Sequence, residues 1–296
     1  MIDSKYRKAV ILAGGSGSRL APVTLGTSKQ LLPIYNKPTI YYSISQAMLL
    51  GITDIALIVS PNHEALYQSL LGNGSHWGIK LTYICQTKPR GIAEAIKLSA
   101  TFIGQDSFML LLGDNLFFGH DLINKLLRAQ LDESELILTT YSVKNPREYG
   151  VAEYGISGHI KKIWEKPQQP PSSRAVTGLY LYPNIAVNLT NQLKPSSRGE
   201  LEITDLNNLL LEQTTVTEVK LGRGDVWFDT GTFDQLHSAS MFIKSMEDQS
   251  GKLIGSIDEI SYRLGLVTKK SFITNVKRVE KSEYGSILKK LIDQKN

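Results

Sequence analysis

Three glycines in four residues, Gly14, Gly15 and Gly17, follow directly on the apolar run Lys8 to Leu12, and Arg19 and Lys29 come soon after them. A turn without Cβ atoms can aim successive backbone N–H groups at phosphate oxygens, with Ser16 and Ser18 among them. The two cations would supply the charge that a triphosphate calls for. The same residues could also be a flexible turn with two surface cations. They match neither the Walker pattern, which joins Gly-Lys-Ser/Thr, nor the strict Gly-x-Gly-x-x-Gly turn. Gly113-Asp114-Asn115 closes the strongest apolar run of the chain, Phe108 to Leu112. Open parallel sheets gather ligands at the carboxyl ends of strands, so an acid there points at a crevice, although a strand-terminal aspartate is also an ordinary turn residue. A second acid stands in Asp229-Thr230-Gly231. Two isolated carboxylates beside a phosphate-type loop are the hard oxygen ligands that Mg²⁺ uses next to substrate phosphates. Trp164-Glu165-Lys166-Pro167 offers a further acid and cation, or a solvated pair at a loop edge. Tyr149-Gly150-Val151 and Val176-Thr177-Gly178-Leu179-Tyr180 interrupt strand-like runs with glycine, as happens where a backbone is closely approached or bulged.

The elements that must position these residues follow from periodicity. Lys8–Leu12, 55–59, 81–85 and Phe108–Leu112 read as short buried strands, and 40–50, 65–71 and 92–102 as the helices between them. Apolar strands alternating with helices imply a parallel sheet covered on both faces. From Leu136 the spacing shortens, with strands at 137–143, 150–153, 160–164, 175–182 and 216–221, a helix at 204–212 and a loop at 222–231. Residues 241–296 read as largely helical. The expected fold is α/β, a Rossmann-like mixed, mostly parallel sheet flanked by helices, with an embedded α+β portion and a helical C-terminal part. The expected division is 1–240, with a nucleotide-binding core over about 1–135 and a second portion over about 136–235, followed by 241–296.

A chain of 296 residues with 42% hydrophobic and 21% charged residues can bury a core without staples, and its single cysteine, Cys85, rules out an intramolecular disulfide. No leader is expected, and no apolar run approaches the roughly 20 residues that span a bilayer. A cytoplasmic protein without a membrane partner is the simplest expectation. Its net charge of +5 raises the possibility of nucleic acid as a partner. Of the 33 basic and 28 acidic residues, 8 and 3 fall in 269–296, so the whole excess lies in that segment. There Tyr284, Ile287, Leu288, Leu291 and Ile292 fall on one helical face with Lys289, Lys290 and Lys295 off it, which reads as a docking helix and argues against nucleic acid.

Taken in order, Leu-Ala-Gly-Gly-Ser-Gly-x-Arg-Leu, Ser-Lys-Gln-Leu-Leu-Pro, Lys-Pro-x-Ile-Tyr-Tyr, Leu-Gly-Asp-Asn, Tyr-Gly-Val, Glu-Lys-Pro, Val-Thr-Gly-Leu-Tyr, Arg-Gly-Glu-Leu-Glu-Ile-Thr-Asp and Trp-x-Asp-Thr-Gly span almost the whole chain. In that order and spacing it resembles the glucose-1-phosphate thymidylyltransferases, among the sugar-phosphate nucleotidylyltransferases, whose nucleotide-diphospho-sugar transferase fold the resemblance implies. It also implies condensation of dTTP with α-D-glucose 1-phosphate to dTDP-glucose and pyrophosphate, with Mg²⁺ as cofactor. By that resemblance Arg19, Lys29, Asp114, Lys166 and Asp229 are catalytic, and Asp114 and Asp229 hold the metal. The nucleotide would lie on Leu12, Ala13, Gly14, Gly15, Ser16, Gly17, Ser18, Arg19, Lys29, Gln30, Gln86, Gly91 and Asp114, where the glutamines can pair with a pyrimidine edge. The sugar would lie on Asn115, Tyr149, Gly150, Glu165, Lys166, Val176, Tyr180 and Trp227. A sugar phosphate is ionised at neutral pH, so no catalytic histidine is expected.

The same resemblance, to the long members of the family, implies a homotetramer and a regulatory nucleotide pocket on Gly119, His120, Arg223, Glu259 and Arg263, inhibited by deoxythymidine sugars. The plain alternative is a surface pair between Glu259 and Arg263. Arg90 and Glu94 stand where many thymidylyltransferases have aspartate and glutamine, Ala21 where an aromatic is frequent, and Leu25 where an arginine is common. These departures leave open a UTP-using or other-sugar enzyme. A catalytically silent nucleotide-sugar-binding regulator is the alternative of another class, which retention of Asp114, Asp229, Arg19, Lys29 and Lys166 disfavours.

Overall fold

The structure is a computed structural model that describes residues 5–15, 17–130 and 136–293, so Ser16 and Lys295 lie outside the described residues. In chain order the strands are β1 (Lys8–Leu12), β2 (Pro33–Ile34), β3 (Lys37–Pro38), β4 (Asp54–Val59), β5 (Lys80–Cys85), β6 (Phe108–Leu112), β7 (Asn115–Gly119), β8 (Leu136–Ser142), β9 (Gly150–Tyr154), β10 (Ile160–Glu165), β11 (Arg174–Tyr182), β12 (Val216–Lys220) and β13 (Asp225–Asp229). Strands β6, β1, β4 and β5 form a parallel core. After Lys8 and Asp54 at their starts, β1 and β4, like β6, are apolar at every position because each face is covered. Ala9, Ile11, Ile55, Leu57, Met109 and Leu111 pack into one cluster, while Val10, Ala56, Ile58, Phe108 and Leu110 pack into another on the opposite face.

Strand β11 joins this core antiparallel and is the longest of the sheet. Its Leu179–Tyr182 half pairs with β6, its Ala175 pairs with Val151 of β9, and β8 runs along its other edge. The neighbour of β11 therefore changes from β6 to β9 across Val176–Gly178. Strand β10 extends β9, and β12 runs parallel to β8. The sheet is thus a parallel Rossmann-like core that continues into an antiparallel portion, with helices on both sides.

Two segments differ from the sequence expectation. Residues 92–102 form two helices, Ile92–Leu98 and Ala100–Ile103, not one. At the break, the Ser99 hydroxyl donates back to the Ala95 carbonyl (2.8 Å), the local competition that interrupts helices at serine. The stretch 222–231 is not all loop: Asp225–Asp229 is strand β13, paired antiparallel with β7, which was not foreseen either. The β-forming run Val226-Trp227-Phe228 is the local signal for β13, and the edge of β7 supplies the partner.

The C-terminal part is helical: Phe233–Ser250, Ile257–Arg263, Lys269–Val279 and Glu283–Asp293. Tyr284 and Leu288, with Ile287, Leu291 and Ile292 beside them, pack on Phe272 and Val276 within the same chain. The helix Phe233–Ser250 runs across residue 240 and returns to the first half through a buried ion pair. Lys37 Nζ donates to Glu247 Oε1 (2.7 Å), with side chains 1% and 2% exposed. Asn36 Nδ2 and the Ile254 N–H complete the carboxylate's partners. No helix among the described residues is long and apolar enough to cross a membrane.

Candidate active site

The carboxyl ends of β1, β4 and β6 set the floor of the site. The ladder runs on past the strands, with Ala13 N–H donating to Ile58 O (2.7 Å) and Gly113 N–H to Leu12 O (2.8 Å). A Cβ on Gly113 would lie 2.5 Å from that Leu12 oxygen, which is why the residue before Asp114 has no side chain. The loop after β1 turns at Gly17, whose φ of +60° is left-handed and whose carbonyl accepts from the Thr24 hydroxyl. Arg19 comes back over Gly231, where a Cβ would meet its guanidinium at 2.6 Å.

Asp114 and Asp229 are 115 residues apart in sequence and are brought together by the β7–β13 ladder, whose register pairs Asn115 with Asp229. The Thr230 hydroxyl (2.7 Å) and N–H (3.2 Å) both donate to the Asp114 carbonyl and lock the crossing. At the far end Asp225 crowds Gly119 and takes an ion pair from Lys125 (2.6 Å). The two carboxylates have unlike surroundings. Asp114 is ion-paired to the buried Lys29 and accepts from Asn115 Nδ2. The Asp229 carboxylate accepts no hydrogen bond from any described residue, and its pKa is pushed up to about 6, first by burial and then by the Asp114 charge, against the opposing pull of Lys29 and Arg19. A partly buried carboxylate without a donor, held beside a second one, fits a divalent cation. No group of three or more His, Cys, Asp or Glu able to hold a metal occurs among the described residues, so such an ion would need further oxygens from a ligand.

Two cavities meet at Leu112 and Asp114. One, about 240 Å³, is lined by Leu12, Gly14, Gly15, Gln30, Gln86 and Gly91 among others. Ala13 lies beneath it, its carbonyl accepting from the Tyr67 hydroxyl (3.2 Å). Gly17 and Ser18 lie outside its lining, in the turn that leads to Arg19. Gly91 has φ +103° and faces Leu201, where a Cβ would come within 2.3 Å of the carbonyl oxygen. The second cavity, about 270 Å³, opens where β11 changes partner. Its lining gathers Arg19, Asn115, Tyr149, Gly150, Glu165, Lys166, Val176, Tyr180, Trp227 and Asp229. Gly178 is required there, because a Cβ would lie 2.5 Å from Asn115 Oδ1, which accepts from Trp227 Nε1 (2.6 Å). The Trp227 ring packs edge-on against Tyr149. Lys166 has φ +42°, a left-handed backbone rare for a side-chain-bearing residue. Its N–H donates to the Tyr149 carbonyl (3.0 Å), and this bond helps hold the strained turn.

Sequence reasoning missed the groups that hold Glu165. Thr204 Oγ1 donates to its Oε2 (2.6 Å), and Arg198 Nη2 donates to its Oε1 (3.2 Å) while also bridging Glu202 (2.7 Å). Both lie in the Arg-Gly-Glu-Leu-Glu-Ile-Thr-Asp segment, whose three acids after one arginine were the available signal. Glu94 was seen only as a change of charge; its carboxylate accepts from Gln86 Nε2 (2.8 Å).

Of the residues expected in a regulatory pocket, Gly119, Glu259 and Arg263 line a third cavity of about 280 Å³, together with Gln46 and Phe118. Arg263 Nε donates to Glu259 Oε1 (2.6 Å). His120 and Arg223 are exposed and outside that lining. A wider groove of about 650 Å³ along β12, at His159, Thr215 and Glu218, holds none of the residues above.

Comparison with known proteins agrees with this geometry. The model of the nucleotidyl transferase family matches residues 8–246. A glucose-1-phosphate thymidylyltransferase of Neisseria gonorrhoeae is 46% identical over 285 residues, covering 96% of this chain and 99% of its own. One from Mycolicibacterium smegmatis is 42% identical over 287 residues, with 97% and 99% covered. A Bacillus anthracis protein assigned as a glucose-1-phosphate thymidylyltransferase and crystallised with sucrose superposes with a TM-score of 0.74 at 39% identity, over 79% of this chain and 94% of that one. UDP-glucose pyrophosphorylase bound to UDP-glucose shares the fold, with a TM-score of 0.71 at 24% identity over 81% and 99%.

Proposed function

The chain belongs to the nucleotidyl transferase family, and from that premise we propose that it is a glucose-1-phosphate thymidylyltransferase, joining dTTP to α-D-glucose 1-phosphate with release of pyrophosphate. The observation that carries this reading is the shared wall at Leu112 and Asp114. Two separate cavities, one edged by amides and one by hydrogen-bonding and aromatic groups, open on the Asp114 carboxylate, with Asp229 in the lining of the second. Two substrates lying in them would present their phosphates to each other there.

The chemistry needs no general base. A phosphate oxygen of the sugar phosphate attacks the α-phosphorus of the triphosphate. The bond from that phosphorus to the α–β bridging oxygen breaks, and pyrophosphate leaves with the electron pair. The nucleophile is already an anion, so the protein must overcome repulsion between two anions and hold them in line. Arg19, in the lining of the second cavity above Gly231, and Lys29, paired with Asp114 where the two cavities meet, would stabilise charge on the α-phosphate and the departing pyrophosphate. Lys166 faces the second cavity and serves the sugar phosphate, while Glu165, fixed by Thr204 and Arg198, accepts from sugar hydroxyls. Asp114 and Asp229 would hold Mg²⁺, which when bound supplies Lewis-acid charge to phosphate oxygens. The orphaned Asp229 carboxylate supports that assignment. The third cavity, on Gly119, Glu259 and Arg263, is our candidate for regulation by a nucleotide sugar.

Pyrophosphate release measured over a panel of nucleoside triphosphates and sugar phosphates tests the assignment. The expected best pair is dTTP with glucose 1-phosphate. A preference for UTP over dTTP of tenfold or more, or no release with any pair, would overturn it.

A further inference from the structure

We propose that Glu94 is a positioning residue for base selection. It holds the side-chain amide of Gln86 so that the cavity wall presents an oxygen, and so admits a pyrimidine with a ring N–H over one with a bare ring nitrogen. The assignment rests on the reading that a nucleotide base occupies the cavity between Gln30 and Gln86.

Gln86 follows β5 directly, and its backbone N–H donates to Val59 O (2.9 Å), so the residue is fixed to the sheet. Its Nε2 donates to Glu94 Oε2 (2.8 Å) and to the Gly91 carbonyl (3.4 Å). An ionised carboxylate and a carbonyl can only accept. Turning the amide over would set Oε1 against both, forfeiting the bonds and adding repulsion between oxygens. The orientation is therefore dictated by chemistry. Oε1 receives no donor from any described residue, yet it is not among the enclosed polar atoms that lack a partner. It is left for whatever enters the cavity that Gln86 lines.

The facing glutamine has the opposite polarity. Gln30 Oε1 accepts from the Ser28 hydroxyl (2.8 Å), with the Tyr67 hydroxyl at 3.4 Å, which leaves Gln30 Nε2 as the free end. The cavity thus offers one donor and one acceptor. A thymine or uracil edge, a carbonyl beside N3–H, complements that pair. Cytosine brings a lone pair at N3, which would face the Gln86 oxygen and leave both unpaired. Glu94 does not line the cavity and acts only through Gln86.

The test compares kcat/KM for dTTP and dCTP, with saturating glucose 1-phosphate, in the wild type, Glu94→Leu and Glu94→Gln. Leucine removes the acceptor and leaves the amide only the long contact to Gly91, so the dTTP to dCTP ratio should fall by about tenfold or more. Glutamine keeps an acceptor oxygen on a chain of the same shape and should hold the ratio within about threefold of wild type. Glu94→Lys, which offers only donors, should lower the ratio as leucine does and serves if that variant does not fold. A parallel loss of both activities with the ratio intact would mark Glu94 as merely structural and overturn the proposal, as would a glutamine variant no better than leucine. A wild type that fails to prefer dTTP over dCTP would refute the base-site reading and the proposal together. A wild type that does prefer it, with Glu94→Leu and Glu94→Lys preferring it equally, would refute the proposal alone.

Discussion

Replacing Asp229 by asparagine should remove turnover and at the same time make the metal-free protein more stable. In the folded chain the carboxyl is pushed from an ordinary 3.8 up to about 6 by burial and by Asp114. Between those values the folded state holds a proton that the unfolded state has released, so stability falls as pH rises through that window. Above it the full penalty for keeping the charge applies, roughly 3 kcal/mol at pH 8. At pH 4 most of it is gone, because the carboxyl is then protonated in the folded chain. Asparagine has the same shape and no charge, and its amide can donate to Asp114. Urea unfolding in the presence of a chelator at pH 8, 6 and 4 should show the variant ahead by a margin that narrows toward acid. Pyrophosphate release from the variant should be reduced at least a hundredfold, on the order of losing one strong electrostatic contact in the transition state. An unchanged or lower stability at pH 8, or a gain that persists at pH 4, would show that Asp229 carries no unfavourable charge. Near wild-type turnover with Mg²⁺ would remove it from the metal site.

Lys37→Met should cost about 3–5 kcal/mol in urea unfolding, because Glu247 is left buried and uncompensated, whereas Lys37→Met combined with Glu247→Leu should recover most of that loss. Gly178→Ala should raise the KM for glucose 1-phosphate about tenfold, since the new methyl displaces Asn115 from Trp227; an unchanged KM would mean that Asn115 and Trp227 do not shape the second cavity. Thr204→Val should raise the same KM about threefold to tenfold and leave that for dTTP alone, by removing one hydrogen bond from Glu165. Equal changes in both constants would place Thr204 in general stability instead. The Mg²⁺ concentration for half-maximal rate should rise as pH falls through about 6, where Asp229 gains its proton; a flat profile from pH 8 to 5 would contradict the carboxylate's role.

The parallel core was legible because burial imposes its period on each strand separately. Ala9 and Ile11 pack on one side and Val10 on the other whatever the strand pairs with, and the alternation of apolar strands and helices then leaves few topologies. The glycine turn after β1 and the glycine before Asp114 were legible for a related reason. At Gly17 the backbone is left-handed, and at Gly113 a neighbouring carbonyl leaves no room, and both demands remove the side chain at a fixed place in the chain. Charge was legible by position, and most of the excess fell on the helix Lys269–Val279, which packs against Glu283–Asp293 within its own subunit.

The sequence alone therefore determined the parallel core and the glycine loop after β1, and its ordered motifs pointed to candidate residues for the site. The tertiary structure alone decided how those residues meet. Asp114 and Asp229 come together because β13 pairs with β7 in one register, and a slip of one residue would turn Asp229 to the other face. Nothing within residues 225–229 specifies that partner; the free edge of β7 does. Glu94 likewise reads as a charge at a helix start until Gln86, eight residues earlier, is seen to have no other place for its amide hydrogens than that carboxylate and the Gly91 carbonyl. Local pattern reports what each segment must bury, whereas the pairing of distant polar groups is settled only when the packed core fixes the distance between them.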